Sequence, residues 1–593
     1  MSVHDSDLLS IQLVRDLVTR AAEAQKRWAS FSQAQVDAVI DAMAAAATKE
    51  AEALARMAVE ETGYGNVPDK TKKNLFASED VYAAIRPMQT VGILRDDREK
   101  GVVEIAEPVG VVAAILPSTN PTSTAIYKVL ISLKARNAVV LSPHPSAKRC
   151  ICATADVLIR AALKAGAPEG LIGCLTEVSM AATQELMKHR QVAVILSTGG
   201  TAVVRAAYSS GKPAYGVGPG NVPAYIERTA NVRKAVTDII TGKTFDNGVL
   251  CSAEQSIVAE EPLREAVLQE LREQGAYFLN AAEIATLSKL VIRADTFLVN
   301  PQVVGRFAPV IAEMAGFKVP PTTRVLVAEL AGVGRDYPLS AEKLSPILAF
   351  YTVKSRQEAI DLCNRLLAFG GLGHTIAIHS QNDAAIREFG QKVRAYRVIV
   401  NSPATHGSVG YSTGLFPAMT LGCGTLGGNI TSDNIGPHHL MNIKRIAHEL
   451  RPVERSAAHM GVSGASAQRA ATPLPAPIAA APAAKPAAPV AAPGAVPDRA
   501  TVARVVERFL SQKGVPRSPE APAAAPPAPK AAPAPAPRVA DFVSESDVRT
   551  AVERAEKIFI SPRTIVTPSA RDLGNTHDVF IETEAPALTA ARE

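Results

Sequence analysis

Short apolar runs alternate with helical patterns over most of this chain of 593 residues. The strand-like runs lie at 110–116, 138–141, 192–196, 224–227, 256–260, 375–379 and 397–401. Apolar residues at helical spacing fill the segments between them, and the same spacing predicts helices over residues 7–85. This alternation predicts an α/β protein with parallel sheets, whose ligands bind in the loops at the carboxyl ends of strands.

Composition excludes several classes of protein. Hydrophobic residues make up 47% of the chain and charged residues 20%, which is enough apolar material for a large core. No apolar run approaches the roughly 18 residues of a membrane span, and residues 1–12 lack the pattern of a secretory signal. Six cysteines do not indicate a disulfide framework at this length, and the net charge of +6 comes without a basic block. We therefore expect a cytoplasmic protein with no membrane or nucleic-acid partner.

The composition changes near residue 465. Seventeen of the 42 prolines fall in the windows 473–497 and 516–540, and each window holds 19 alanines and prolines in 25 residues. Proline removes backbone donors and alanine has little surface to bury, so these windows cannot form a packed core. We expect a mostly disordered tail with linkers at 466–497 and 515–540.

One amphipathic segment stands between the two linkers. Within 498–514, five apolar residues follow helical spacing: Val502, Val505, Val506, Phe509 and Leu510. A helix with one apolar face and no partner in its own segment favours a docking peptide, and packing against the globular part is the alternative. The last segment, 541–593, has a second helical pattern at 547–558 and is either another docking element or a small folded tail.

The segment 243–256 has the strongest local pattern of a reactive site. Cys251 follows an Asn-Gly turn and precedes an apolar strand, which places its thiol at the mouth of a sheet. A nucleophilic thiol needs a polar site that lowers its pKa, and a buried structural thiol is the alternative. The other cysteines have no zinc-type spacing, and His406 and the His438–His439 pair lack partners at ligand spacing, so no metal is expected.

Three further loops follow predicted strands. Asn120 is a candidate oxyanion donor, with a turn or helix cap as the alternative. Gly199 and Gly200 open a helix whose free amides suit a pyrophosphate, although the full dinucleotide motif is missing. The glycine-rich loop 214–221 lets the backbone approach a ligand, or is simply a turn.

Seven motifs along the chain point to one family. They occur in the order EPVGVVAAILPSTNPTSTAIYK, STGG, SSGKPAYGVGPGN, KTFDNGVLCSAEQS, EKLSPILAFY, GLGHT and TLGCGTLGGN. Over about residues 5–450 the chain resembles the CoA-acylating aldehyde dehydrogenases, including the aldehyde dehydrogenase half of the bifunctional aldehyde–alcohol dehydrogenases. The resemblance implies a homo-oligomer of the aldehyde dehydrogenase fold. It implies a Rossmann-like cofactor domain at 1–245 to which 405–435 returns, a catalytic domain at 246–425 and a small oligomerisation element at 426–465.

The resemblance also implies roles for the candidate residues. The Cys251 position attacks the aldehyde, and the thioester left after hydride transfer to NAD is displaced by coenzyme A. Asn120 corresponds to the side-chain donor of the oxyanion hole, and His374 either assists coenzyme A deprotonation or is structural. Hydrolytic members carry a water-activating Glu near position 216, so Gly216 favours thiolysis, because a thiol needs less help from a base than water does.

Six residues correspond to cofactor positions of the family: Thr198, Gly199, Gly200, Gly218, Glu342 and His144. The glycine turns match the pyrophosphate loop, and Glu342 matches the acidic residue that holds the nicotinamide ribose, with a surface Glu as the alternative. His144 lies in the adenosine-ribose loop, where Ser142 replaces the Lys that the superfamily often has. NAD is favoured, and NADP stays open.

The tail has a counterpart in the same family. Members that work inside bacterial microcompartments carry amphipathic helices on Ala/Pro-rich linkers. The resemblance therefore implies that 498–514, and also 541–582, bind shell or cargo proteins in a microcompartment lumen. It implies acetaldehyde or propionaldehyde as the substrate. Two alternatives stay open, a non-acylating dehydrogenase that releases free acid and a compartment-organising binding protein.

Overall fold

The structure is a computed structural model that describes residues 6–451 and 540–582, except 541, 555, 562 and 563. Contacts divide the chain into two units, 1–466 and 467–593. The predicted docking helix 498–514 lies outside the described residues, together with nearly all of both linkers. No helix in the described ranges is long and apolar enough to cross a membrane.

Helices occupy the N-terminal segment and the connections between strands. Those of the first unit are α1 Ser6–Trp28, α2 Gln33–Lys49, α3 Ala51–Thr62, α4 Val67–Leu75, α5 Val81–Ile85, α6 Pro121–Lys134, α7 Lys148–Lys164, α8 Met180–Lys188, α9 Thr201–Tyr208, α10 Val232–Thr244, α11 Arg264–Glu273, α12 Ala281–Val291, α13 Ala308–Met314, α14 Arg356–Gly370, α15 Asp383–Lys392 and α16 Ala404–Ser408. Local sequence sets their starts. For example, Ser32 and Gln35 form a capping box at α2.

All seven strand-like runs of the sequence are strands. The strands are β1 Gly92–Asp97, β2 Val102–Pro108, β3 Val111–Ile115, β4 Ala138–Ser142, β5 Ile172–Cys174, β6 Val192–Thr198, β7 Ala214–Val217, β8 Val222–Ile226, β9 Glu254–Glu260, β10 Ala276–Phe278, β11 Val325–Glu329, β12 Ile347–Val353, β13 Gly373–His379, β14 Ala395–Val400 and β15 Met441–Ala447. Strands β3 and β4 are buried at every position, as parallel strands covered on both faces must be.

The first sheet is parallel throughout, with the order β5-β4-β3-β6-β7. Helix α6 is buried along its whole length, because the N-terminal helices cover it. The indole N–H of Trp28 donates to the carbonyl oxygen of Leu133 at 3.2 Å and fixes α1 to this helix. The arrangement is the Rossmann-like sheet expected from the sequence.

The second sheet is also parallel, with the order β10-β11-β12-β9-β8-β13-β14. It begins at Val222, so β8 and α10 belong to this sheet rather than to a cofactor domain that extends to residue 245. The chain passes from β7 to β8 through residues 218–221 alone. Nothing in the local sequence marks this change of sheet, because both strands are short, apolar and buried.

A third, antiparallel sheet has the order β1-β2-β15. It combines residues 92–108 with 441–447. The oligomerisation element at 426–465 stays a prediction, and β15 lies within that range. The pairing of β2 with β15 joins segments that are more than 300 residues apart, which local patterns cannot predict.

The segment 405–435 packs against elements of the first sheet. Val409, Leu421 and Ile435 are buried in the core beneath that sheet. The hydroxyl of Tyr127 in α6 donates to the carbonyl oxygen of Ile435. The cofactor domain is therefore completed by a late part of the chain.

The described part of the tail is a small folded unit. Two helices, Glu545–Arg554 and Pro568–Thr576, lie among four short strands. Phe542–Val543 pairs in parallel with Ile565–Val566, and Ile558–Ile560 with Phe580–Glu582. The unit has its own core of Val543, Val548, Ile560 and Ala570. Of the two alternatives for this segment, a folded tail is the one observed, and its first helix begins at residue 545 instead of 547.

Candidate active site

Cys251 lies just before β9, at the amino end of the second sheet. The preceding turn is tight, because Asp246 and Asn247 adopt left-handed φ angles of 48° and 54°. The loop between β7 and β8 runs against the nucleophile, and a Cβ on Gly220 would lie 2.0 Å from the carbonyl oxygen of Cys251. Glycine at 220 is therefore required by close approach of two backbones. Cys251 sits where the carboxyl end of β7 meets the amino end of β9.

Cys251 and His374 are in direct contact, with 3.2 Å between Sγ and Nε2. His374 belongs to β13, and its Nδ1 lies 2.9 Å from the hydroxyl oxygen of Thr375. When Nδ1 carries the proton and donates to Thr375, Nε2 is free to accept the thiol proton. The structure thus brings together two residues that the sequence singled out 123 positions apart.

Burial keeps this pair neutral. It raises the pKa of Cys251 to about 12, with a further contribution from Glu342. Burial and the positive charge of Arg397 lower the pKa of His374 to about 3. In the free protein the proton therefore stays on the sulfur, and the lone pair of Nε2 on the neutral imidazole is in place to accept the thiol hydrogen.

Arg397 in β14 holds the backbone of His374 in place. Its guanidinium donates to the carbonyl oxygen of His374 at 3.0 Å, to that of Ser432 at 2.9 Å and to Oδ1 of Asn434 at 2.7 Å. These bonds hold the end of β13 against the returning segment 405–435. Arg397 therefore both positions His374 and disfavours its protonation.

Asn120 stands at the start of α6 but does not cap it, since its side chain makes no bond to the first turn. Its Oδ1 accepts from Nζ of Lys73 at 2.6 Å, and its Nδ2 donates to the hydroxyl of Thr119 at 3.2 Å. A lysine has donors only, so Lys73 must face the carbonyl side of the amide. This contact fixes the side-chain orientation and leaves the N–H side for an oxyanion.

Lys73 is part of a buried charge cluster that sequence reasoning missed. It forms an ion pair with Asp246, which also accepts from Lys70 at 3.0 Å and from the backbone of Asn66 at 2.8 Å. Burial lowers the pKa of Lys73 to about 7, against the opposing effect of Asp246. Asp246 lies in the turn before Cys251, so the cluster connects α4, the Asn120 loop and the nucleophile loop.

Glu342 is partly buried beside the loop that connects β7 to β8. Its Oε1 accepts from the backbone N–H of Gly220 at 3.2 Å, and burial raises its pKa to about 7. Its carboxylate is therefore in contact with the protein backbone, and a role in cofactor binding stays a prediction. Its position beside the loop that touches Cys251 agrees with a contact to the reacting end of a cofactor.

The predicted phosphate turn lies at the carboxyl end of β6. Thr198 ends β6, and Gly199 and Gly200 lead into α9. A cavity of about 300 Å³ opens there, lined by Thr201, Gly218, Leu372 and Cys423, among others. A Cβ on Gly200 or Gly218 would meet no atom within 4 Å, so the space in front of both is open. These features fit a nucleotide lying over the helix start.

His144 lies apart from that turn. It is exposed at the carboxyl end of β4, and its Nδ1 accepts from the backbone N–H of Ser146 at 3.2 Å. Strand β3 separates β4 from β6 in the sheet. Contact of His144 with a cofactor therefore stays a prediction for the far end of an extended ligand.

Gly216 lies within β7, where there is no room for a larger residue. A Cβ there would be 2.7 Å from Val204 and 2.8 Å from Tyr208, both in α9. The hydroxyl of Tyr208 also accepts from the backbone N–H of Gly216 at 2.9 Å. The packing of α9 on β7 thus leaves no space for a carboxylate at the position where hydrolytic relatives carry one.

A second cavity, of about 360 Å³, adjoins the nucleophile from the other side. Its lining includes Leu250, the neighbour of Cys251, together with Phe76, Phe245 and Tyr411. Lys73 and His406 also line it, so His406 faces this channel. The cavity could not be predicted from local sequence patterns, because its walls come from three segments that are distant in the sequence.

The absence of a metal site stays a prediction from the sequence. Within the described ranges, no group of three or more His, Cys, Asp or Glu side chains is arranged to hold a metal ion. His439 lies 3.1 Å from Asp433, and the rings of His438 and His439 are 4.0 Å apart.

Comparison with known proteins identifies the family. The model of the aldehyde dehydrogenase family matches residues 8–278. The crystal structure of an acetylating aldehyde dehydrogenase from Geobacillus thermoglucosidasius is 52% identical, with a TM-score of 0.75, over 76% of this chain and 99% of that one. The fold and the Cys251 site agree with this match, and the chain belongs to the aldehyde dehydrogenase family.

Its relatives within the family are acylating enzymes and their fusions. The bifunctional aldehyde-alcohol dehydrogenase AdhE of Escherichia coli is 45% identical over 436 residues, which are 73% of this chain and 49% of AdhE. The chain thus spans about half the length of that relative. A propionaldehyde dehydrogenase from a fucose-utilisation bacterial microcompartment of Clostridium phytofermentans is 29% identical, with a TM-score of 0.66, over 73% of this chain and 97% of that one. The predicted resemblance to the acylating group is confirmed.

Proposed function

We propose that the protein oxidises a short-chain aldehyde to an acyl-CoA, with NAD as oxidant and coenzyme A as acyl acceptor. The observation that carries the proposal is the contact of 3.2 Å between Cys251 and a neutral His374. Leu250 and Leu372, close to these two residues in sequence, line one cavity each. Similarity to acetylating enzymes over nearly the full length of a solved relative supports it.

In the first step Cys251 adds to the aldehyde carbonyl. Its proton passes to Nε2 of His374 while the Sγ–C bond forms and the carbonyl oxygen becomes negative. The amide N–H of Asn120, aimed by Lys73, and the backbone N–H of Cys251 are the donors proposed for this oxyanion. One such donor is worth about 2.7–4 kcal/mol in comparable sites.

The cofactor residues fit NAD, which when bound supplies the hydride acceptor that turns the adduct into a thioester. The amides that begin α9 would hold its pyrophosphate, next to Gly199 and Gly200. Gly218 would allow close approach of the nicotinamide end, and Glu342 would accept from its ribose. The relatives leave NADP open as an alternative cofactor.

The second step transfers the acyl group. His374 releases the proton of the first step to solvent before coenzyme A reacts. The coenzyme A thiol then gives up its proton to Nε2 of His374 as its sulfur attacks the thioester carbon, and His374 returns that proton to Sγ as Cys251 leaves. The Sγ–C bond then breaks, which restores Cys251 and releases acyl-CoA. Because the packing at Gly216 leaves no room for a water-activating carboxylate, attack by a thiol is favoured over attack by water.

The test is product analysis with acetaldehyde and propionaldehyde. We expect acyl-CoA and NADH in equal amounts, with little NADH formed when coenzyme A is omitted. Cys251→Ala should abolish NADH formation, and its retention would refute the mechanism. Free acid formed at a comparable rate without coenzyme A would favour the non-acylating alternative. The kcat/KM values of two- to four-carbon aldehydes would show which chain length fits the cavity of about 360 Å³ best.

The setting of the enzyme forms a second part of the proposal. We propose a homo-oligomer in the lumen of a bacterial microcompartment, with 498–514 as the shell or cargo anchor. The Ala/Pro linkers and the similarity to a microcompartment enzyme support this. A fusion of residues 495–515 to a fluorescent protein should form puncta in cells that make the shell. Diffuse fluorescence there would count against the anchor, without bearing on the chemistry.

A further inference from the structure

Two cysteines of the first unit lie side by side although they are 22 residues apart in sequence. The Sγ atoms of Cys152 and Cys174 are separated by 3.1 Å. Cys152 is in the second turn of α7, and Cys174 is the last residue of β5 at the edge of the first sheet. Both are free and partly exposed. Neither belongs to the site around Cys251.

The geometry is close to that of a disulfide. The sulfur atoms are only about 1 Å further apart than in a disulfide bond, so small side-chain rotations are enough to join them. The backbone on both sides is held in place. Glu61 accepts from the backbone N–H groups of Arg149 at 2.8 Å and Cys150 at 2.7 Å at the start of α7, and β5 pairs with β4. Bridging therefore needs no rearrangement of the fold.

The two thiols are electrostatically different. The contact between the two thiols, in which either sulfur can be the donor, lowers the pKa of Cys152 against the effects of burial and of Asp156, and Lys148 helps to lower it. The same contact and burial raise the pKa of Cys174. The positive charge of Lys148 stabilises a thiolate on Cys152, which favours Cys152 as the attacking sulfur in thiol–disulfide exchange.

We propose that Cys152 and Cys174 form a dithiol modification site that reacts with small-molecule disulfides to give a reversible bridge. The Cys152 thiolate attacks one sulfur of the small disulfide, whose S–S bond breaks and releases one thiolate. Cys174 then loses its proton to solvent, and its sulfur attacks Sγ of Cys152 and expels the second thiolate. Two protein thiols are oxidised, and the small disulfide is reduced to two thiols.

The bridge would connect α7 to the edge strand beside the carboxyl end of β4. This is the region where the sequence places the adenosine end of the cofactor, yet the proposal is independent of the dehydrogenase function. It concerns sulfur atoms that the proposed reaction does not use. Its success or failure can therefore be measured without substrate.

The test uses the full chain with Cys251→Ser, which removes the proposed nucleophile as a competing thiol. After incubation with oxidised glutathione, we expect a mass loss of two hydrogens and a linked peptide that contains Cys152 and Cys174. Dithiothreitol should restore the original mass. A second variant that adds Cys174→Ser should stop at a mixed disulfide of glutathione on Cys152.

The matched control is Cys150→Ser, added to the same background. Cys150 is in the same helix but fully buried, with its thiol donating to the carbonyl oxygen of Ala147 at 3.3 Å. Its loss should not change the bridge. A bridge between other cysteines would overturn the proposal, as would a stable mixed disulfide on Cys152 while Cys174 is still present, or no modification at all.

Discussion

Replacing Lys73 by Met is the sharpest test of how the oxyanion donor is held. Methionine keeps the length and apolar body of the side chain but has no N–H group. The variant loses the bond of 2.6 Å to Asn120 and one of the two lysine contacts of Asp246. Lys70 stays paired with Asp246 at 3.0 Å, so the buried carboxylate is not left alone.

The size of the effect follows from what Lys73 does. A preorganised oxyanion donor accounts for about 10²–10³ in kcat, and an amide free to turn over keeps only part of that. We expect kcat to fall about 10- to 100-fold, which is about 1.4–2.7 kcal/mol of transition-state stabilisation. KM for the aldehyde should change little, because the bond acts on the transition state. Loss of the charged hydrogen bond should lower the free energy of unfolding by about 1.5–3 kcal/mol.

Three measurements distinguish the loss of Asn120 positioning from a general loss of structure in the active site. The rate of Cys251 alkylation by iodoacetamide needs no oxyanion donor and should stay near the wild-type value. Lys49→Met is the matched control, because Lys49 is an exposed lysine at the end of α2 that lines neither described cavity, and it should leave kcat unchanged. Lys73→Met and Asn120→Ala should be strongly non-additive when combined. A kcat within twofold of wild type, or simple additivity, would refute the positioning role.

Three further predictions concern titration and packing. Because burial raises the pKa of Cys251 to about 12, its alkylation in the free enzyme should accelerate about tenfold per pH unit from pH 7 to 10, and a plateau near pH 8 would contradict this. Burial raises the pKa of Glu254 to about 8, so the folded state keeps a proton that the unfolded state releases above about pH 4.5. Stability should therefore fall as pH rises from about 5 to 7. Urea denaturation should show that Glu254→Gln flattens this decline and that Glu52→Gln, an exposed control, does not. Gly216→Ala should lower the free energy of unfolding by about 1–3 kcal/mol, because its Cβ would lie 2.7 Å from a side chain of α9. Gly218→Ala is the control, because a Cβ there faces open space and should not lower that free energy. Equal losses of stability in thermal unfolding would count against the packing argument.

Local patterns predicted the parts of the molecule that local physics determines. Apolar runs became buried parallel strands because each run is long enough for one strand and is covered by helices on both faces. The turn before Cys251 was predictable because positive φ angles restrict which residues fit there. Gly199 and Gly200 were predictable as a turn because the open start of a helix also restricts the residues that fit. The roles of Cys251 as nucleophile and of Gly199 and Gly200 as a phosphate turn stay predictions that rest on the family resemblance as well as on these segments.

The supporting residues could not be predicted in this way. Lys70 and Lys73 stand in a charged helix segment that is typical of a solvated surface, yet both are buried against Asp246, 176 and 173 residues away. Cys152 and Cys174 were single cysteines in sequence and neighbours in space. The change of sheet at Val222 could not be predicted either, because the partners of a strand depend on the topology and not on the residues of that strand.

The late return of the chain to the first sheet has a consequence for biosynthesis. The ribosome synthesises β2 early, but its partner strand β15 follows more than 300 residues later. Tyr127 and its hydrogen-bond partner Ile435 are also more than 300 residues apart in the sequence. The cofactor domain cannot close until nearly all of the first unit has been made, so the nascent chain exposes an unfinished edge throughout elongation. The residues after 447 give β15 time to leave the exit tunnel and pair before translation ends. A truncation soon after β15 should therefore reduce the yield of soluble enzyme more than its effect on the purified protein's stability would explain.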